Sequence, residues 1–240
     1  MASSGQTQLP GHEWLEADRV AEYVERMDRQ QQERAVIFSL LTRLIPFPNE
    51  DEIKVLDIGS GYGPLASAVL ETYPNATAIG LDISDAMMEI GRERMARFGE
   101  KFAYVIGDFS DGHLPETAIA EGPYHVIVSS RAIHHLPPAQ MSTLYTDVYS
   151  QLSNGGCFFN LDTASAPDEF LHEAFRNARR RDSATPARTT TTPRSHSQTA
   201  FHHREATLDR HLTWLKQAGF QSVECFWKRL DQAMVGGYKR

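Results

Sequence analysis

The segment Ile53-Lys54-Val55-Leu56-Asp57-Ile58-Gly59-Ser60-Gly61-Tyr62-Gly63 decides the fold. A short apolar run ends in an acid and then breaks into three glycines at alternate positions. Pro64 follows, and then an apolar-periodic stretch, Leu65 to Tyr73. The pattern predicts a buried strand, a tight turn and a helix start. Glycine is needed where the backbone turns with positive φ, or where a ligand approaches the main chain closely. Such a turn presents backbone N–H groups at a helix N-terminus. A dinucleotide-binding turn wants G-x-G-x-x-G, its third glycine letting helix pack on strand. Pro64 occupies that third position here, and the spacing is D-x-G-x-G-x-G.

Four more apolar runs follow. Ala76 to Asp82 and Phe102 to Phe109 each carry an acid near their ends. Tyr124 to Ser130 is the fourth run, and Gly155 to Asp162 the fifth. Helical or loop segments separate them, which is the alternation of a parallel sheet. Ligands of such sheets sit at the carboxyl ends of the strands, near the switch point. Asp57, Asp82, Asp108, Ser130 and Asp162 all fall at those ends. Asp82 is well placed to accept hydrogen bonds from two ribose hydroxyls, because a carboxylate offers two acceptor oxygens and no donor. Ser84 has the chemistry of a helix N-cap, for a helix through Met87, Ile90, Met95 and Phe98.

The D-x-G-x-G-x-G stretch, with the strand-end acids behind it, resembles the first motif of the class I S-adenosylmethionine (SAM)-dependent methyltransferases, of the small-molecule type. The resemblance covers about residues 50–162 and 207–240. It implies a Rossmann-like α/β fold: a doubly wound seven-stranded sheet, mostly parallel, closed by a C-terminal antiparallel hairpin. N-terminal helices and an insertion after strand five are added to it. It implies Gly59, Ser60 and Gly61 around the methionine portion, with Asp57 organising the turn and attracting the amino group. Ile83 and Met87 would pack on adenine or ribose. Gly107-Asp108-Phe109 resembles the adenine corner, and Ser130 would lie beside the transferred methyl. The implied cofactor is SAM, leaving as S-adenosylhomocysteine (SAH).

Size and composition fit this. At 240 residues, one domain with additions is expected. Residues 1–48 read as a helical cap and 49–240 as the cofactor domain, with 163–206 a lid or substrate insertion, polar and poor in apolar residues over its second half. No apolar run approaches the roughly 18 residues of a membrane span, so no membrane is expected. The N-terminus MASSGQTQLPGHEW lacks the features of a signal peptide. Cys157 and Cys225 sit in apolar runs and read as free thiols, which points to a reducing, cytoplasmic setting. A formal charge of −7 argues against nucleic acid as a partner. Monomer and homodimer stay open.

For proton transfer the candidates are histidines, whose pKa lies near neutrality. His134 and His135 follow strand four, near where the methyl must be, and His202 and His203 lie in the expected lid. The ten histidines include no H-x-x-x-H or H-E-x-x-H spacing, so no metal is expected. The Asn/Asp-Pro-Pro-aromatic stretch of base-amino methylation and the Pro-Cys nucleophile of cytosine methylation are both missing. A small-molecule acceptor, methylated at oxygen or nitrogen, is the expectation. The alternatives are a nicotinamide-dependent oxidoreductase, which Pro64 disfavours, and a non-catalytic SAM-binding scaffold.

Overall fold

The computed structural model describes residues 12–182 and 205–240. His202, His203 and half of the expected lid, residues 183–204, lie outside those residues.

A 3-10 turn, His12–Leu15, leads into α1 (Ala17–Arg29) and α2 (Gln31–Leu44). Then strands and helices alternate: β1 (Lys54–Ile58), α3 (Pro64–Thr72), β2 (Thr77–Asp82), α4 (Asp85–Met95) and β3 (Phe102–Ile106). After a short α5 (Glu116–Ile119) come β4 (Tyr124–Ser130), α6 (Pro138–Gln151) and β5 (Leu152–Thr163). The chain closes with α7 (Glu169–Asp182), α8 (Leu208–Ala218), β6 (Gln221–Arg229) and β7 (Gln232–Tyr238). The sheet order is β3-β2-β1-β4-β5-β7-β6, so the topology reverses between β1 and β4. Strands β1 to β5 pair in parallel, and β7 runs antiparallel to both β5 and β6. This is the expected doubly wound sheet with its hairpin.

The period-two alternation of the strands sorts their side chains into two cores. Leu56, Ile58, Ile127 and Phe158 face α6 and α8, meeting Met141, Leu144, Val148 and Leu215. Val55, Ala78, Val126, Val128 and Phe159 face the other way, onto Leu65 and Val69 of α3 and Phe38 and Leu41 of α2. The second of the N-terminal helices therefore belongs to the sheet's own core. The first packs differently: Val20, Val24 and Met27 of α1 bury against Tyr62 and Met87, over the glycine turn.

One boundary departs from the sequence expectation. The helix capped by Ser84 stops at Met95 and passes into a 3-10 turn at Ala96–Lys101, because Gly99 takes a φ of 55° and breaks the helix before strand three. Cys157 is buried, Cys225 half-buried, and both are unbridged. No helix among the described residues is long and apolar enough to cross a membrane.

Candidate active site

The site begins at the turn between β1 and α3. Gly59, Gly61 and Gly63 have φ of 66°, 57° and 86°, the left-handed region that glycine enters without a Cβ penalty. At Gly59 a second constraint applies: a Cβ there would stand 2.1 Å from Cβ of Ala132 in the loop after β4. The turn is stitched to its surroundings. Ser60 N–H donates to Leu81 O at 2.9 Å, and the Tyr104 hydroxyl donates to Gly61 O at 3.0 Å.

Alternation puts Asp57 on the same face as Val55, between the sheet and α3, where an apolar side chain would normally sit. Asp57 is 1% exposed, and its Oδ2 accepts the N–H of Ala66 in the first turn of α3 at 3.1 Å. Burial raises its pKa to about 7, against the pull of the Ala66 N–H and the Ser60 hydroxyl. Asp82, at the end of β2, is bound from two sides. Its Oδ2 accepts Gly61 N–H at 2.7 Å and its Oδ1 accepts Ser84 N–H at 2.8 Å. One carboxylate thus ties the glycine turn to the start of α4. Burial raises its pKa, opposed by these N–H groups. Asp108 ends the third strand region and accepts the N–H of Ser110 at 2.8 Å.

These elements converge on one cleft at the carboxyl ends of β1, β2 and β4. The space between its walls, open mouth included, is about 830 Å³. Every residue expected at the cofactor lines it: Asp57, Gly59, Ser60, Gly61, Asp82, Ile83, Met87, Asp108, Phe109 and Ser130. His135 lines it too.

His134 does not line the cleft. Its ring Nδ1 lies 2.5 Å from Oδ1 of Asp162, and its backbone N–H donates to Oδ2 of the same carboxylate at 2.9 Å. Burial pushes Asp162 up, but the adjacent His134 charge and hydrogen bond, with two backbone N–H groups, hold it down at about 2. His135 points the other way, with its Nε2 accepting the indole N–H of Trp14 at 3.2 Å. Indole is a donor only, so this Nε2 carries no proton.

Several lining residues carry no motif in the sequence: Trp14, Tyr23, Arg34, Tyr62 and Arg131. Trp14 spans the mouth. Its indole meets His135, and its carbonyl accepts the Ser84 hydroxyl at 2.6 Å. Arg34 donates to the Tyr62 hydroxyl at 2.7 Å. The only signal available for Trp14 and Tyr23 was helical spacing, which speaks of packing.

Residues 55–156 match the family model described as a methyltransferase domain. Over 150 residues the chain is 25% identical to carboxy-S-adenosyl-L-methionine synthase of Nautilia profundicola, covering 56% of this chain and 61% of that protein. Over 113 residues it is 31% identical to acetylserotonin O-methyltransferase of Bos taurus, covering 47% of this chain and 29% of that protein. The chain therefore spans less than two thirds of the length of these curated relatives. Among solved structures, PigF with SAH superposes with a TM-score of 0.66 at 20% identity, over 98% of this chain and 64% of that one. The cofactor of this family is SAM. The domain match over residues 55–156, the sheet order and the glycine turn with its strand-end acids make this chain similar to the class I SAM-dependent methyltransferases.

Proposed function

We propose that this protein binds SAM in the cleft at the strand ends and transfers its methyl group to a small-molecule acceptor, at oxygen or nitrogen. The supporting observation is the convergence of the glycine turn with Asp57, Asp82 and Asp108 on one cleft. When bound, SAM supplies an electrophilic methyl on a sulfonium sulfur. In this reading Asp57 and Arg34 offer opposite charges to the amino and carboxylate groups of its amino-acid end. Asp82 keeps lone pairs beyond the two that its backbone donors occupy, and these accept from the ribose hydroxyls. Asp108 accepts from the adenine amino group, while Phe109, Ile83 and Met87 provide apolar surface. Gly59, Ser60 and Gly61 let the methionine portion approach the backbone, and Ser130 borders the methyl.

In-line displacement needs position and dryness more than chemistry from the protein. Trp14, Tyr23 and the α1 helix supply the roof that excludes water, while α2 belongs to the sheet's own core. His135 borders the cleft with its Nε2 already accepting the Trp14 N–H. The test is transfer of label from methyl-labelled SAM to the small-molecule fraction of a cell extract. The reading expects label in a small molecule and SAH in equal amount, and failure of both SAM binding and transfer would refute it.

A further inference from the structure

Two cations line the cleft, and they differ in their partners. Arg34 is held by the Tyr62 hydroxyl and stacks over the Phe38 and Tyr62 rings. Arg131 shares the cleft lining with half-buried Tyr23, whose hydroxyl feels its charge, and it forms no ion pair with an acid among the described residues. Its backbone is also unusual. Arg131 directly follows β4 with a φ of 57°, held there by its N–H donating to Leu161 O at 3.1 Å. A bulky residue in the left-handed region costs on the order of 1–3 kcal/mol, and such strain concentrates at ligand sites. A glycine would adopt this backbone without the cost. The chain instead places a guanidinium at the strand end beside Ser130.

The neighbouring histidines are committed elsewhere. His135 Nε2 receives the Trp14 indole N–H, and His134 is clamped by Asp162. Tyr23 stays protonated, because burial raises its pKa despite Arg131 and Arg34. A phenol or alcohol would reach neutral pH still holding its proton, whereas a carboxylic acid, with a pKa of about 4, arrives already ionised.

Resting on the methyl-transfer reading above, we propose that the acceptor is a carboxylate held through one oxygen by Arg131, and that the methyl is transferred to its other oxygen. That oxygen gives a lone pair to the methyl carbon. The carbon–sulfur bond breaks with its electron pair left on sulfur, and the sulfonium becomes the neutral thioether of SAH. The acceptor leaves as a neutral methyl ester, and no proton is released. Loss of charge on the acceptor also removes its attraction to Arg131, which favours product release.

The test uses the full chain, methyl-labelled SAM and the small-molecule fraction of a cell extract, with product treated in mild alkali. An ester returns its label as methanol, and an ether or methylamine does not. Calorimetry on the SAH complex is run in parallel with acetate, benzoate, hexanoate and malonate as probes. The proposal expects base-labile label, and at least one probe bound by the parent. In Arg131→Gly, which relieves the strained backbone, probe binding and acceptor kcat/KM should fall by about 10- to 100-fold while SAH affinity holds. Arg131→Lys should recover part of both. Base-stable label, no ester, or probe binding unmoved in Arg131→Gly would overturn the proposal. Because SAH affinity is measured separately, that outcome with SAH still bound refutes the carboxylate acceptor and leaves the cofactor reading standing.

Discussion

The indole N–H of Trp14 donates to Nε2 of His135 at 3.2 Å, across 121 residues of sequence. This bond ties the N-terminal segment to the loop after β4 and fixes the ring's tautomer, with the proton on Nδ1 in neutral imidazole. The same tryptophan holds the start of α4 through its carbonyl and Ser84. One residue of the N-terminal segment therefore touches both walls of the site.

Replacing Trp14 by Phe keeps an aromatic roof and deletes the donor. The lost hydrogen bond should cost about 0.5–1.5 kcal/mol of stability. SAH should also dissociate faster, by several-fold. Stopped-flow release of SAH checks this, and an unchanged off-rate would mean that the roof does not gate the cofactor.

His135→Ala separates two roles of the imidazole. Removing a general base lowers the rate by about 10²–10⁴-fold. With Nε2 occupied by Trp14 and an acceptor that is already an anion, single-turnover transfer per folded molecule should drop less than tenfold. A loss of a hundredfold or more, with SAM affinity intact, would restore the ring as base.

Asp82→Ala should cost both cofactor affinity and stability, because the carboxylate holds Gly61 and Ser84 N–H groups as well as facing the cleft. Stranding those donors costs about 1–3 kcal/mol. Calorimetry with SAH and a denaturant titration should both move. Stability lost without any change in affinity would make Asp82 a purely architectural residue.

Asp57 links pH to binding. Its folded pKa of about 7 lies above the ordinary carboxylate value, so its stabilising share is full at acid pH and is lost as pH rises through 7. A bound ammonium group reverses the preference, favouring the ionised carboxylate. SAH should bind more tightly as pH rises from about 5 to 7, by up to roughly tenfold per unit, and level off above. Asp57→Asn should flatten that slope.

Asp162 works in the opposite sense. Held at about 2, it contributes stability that is present above the ordinary carboxylate pKa and lost as pH falls through 2. The contribution is roughly 2 kcal/mol at neutral pH. Asp162→Asn should reduce stability at pH 6 and much less at pH 2. Equal losses at both values would show that the His134 contact carries no charge.

Much of this was legible in the sequence because it is local. Strand, glycine turn, helix and following acid are written consecutively from Ile53 to Asp82, and each piece has its own chemistry. Of the ten cofactor candidates, Asp57, Gly59, Ser60, Gly61 and Asp82 fall inside that stretch, while Ile83, Met87, Asp108, Phe109 and Ser130 lie beyond it and drew on the family resemblance. The two adjacent histidines could not be told apart, since which way each ring points depends on Asp162, 28 residues on from His134, and on Trp14 far upstream. Arg34 and Trp14 reach the cleft only through the packing of α1 and α2 on the turn. No local pattern marks Arg131, because its positive φ accompanies a bond to β5, through Leu161 O.

The central claim is that the cleft binds the SAM family of ligands. Its most direct measurement is thermal unfolding of the full chain with SAM, SAH, NADH and no ligand. At about a hundred times its dissociation constant, a ligand bound to the native state adds about 2.7 kcal/mol. The account predicts a clear rise in Tm with SAM and with SAH, and none with NADH. A flat Tm with both, against a rise with NADH, would contradict it.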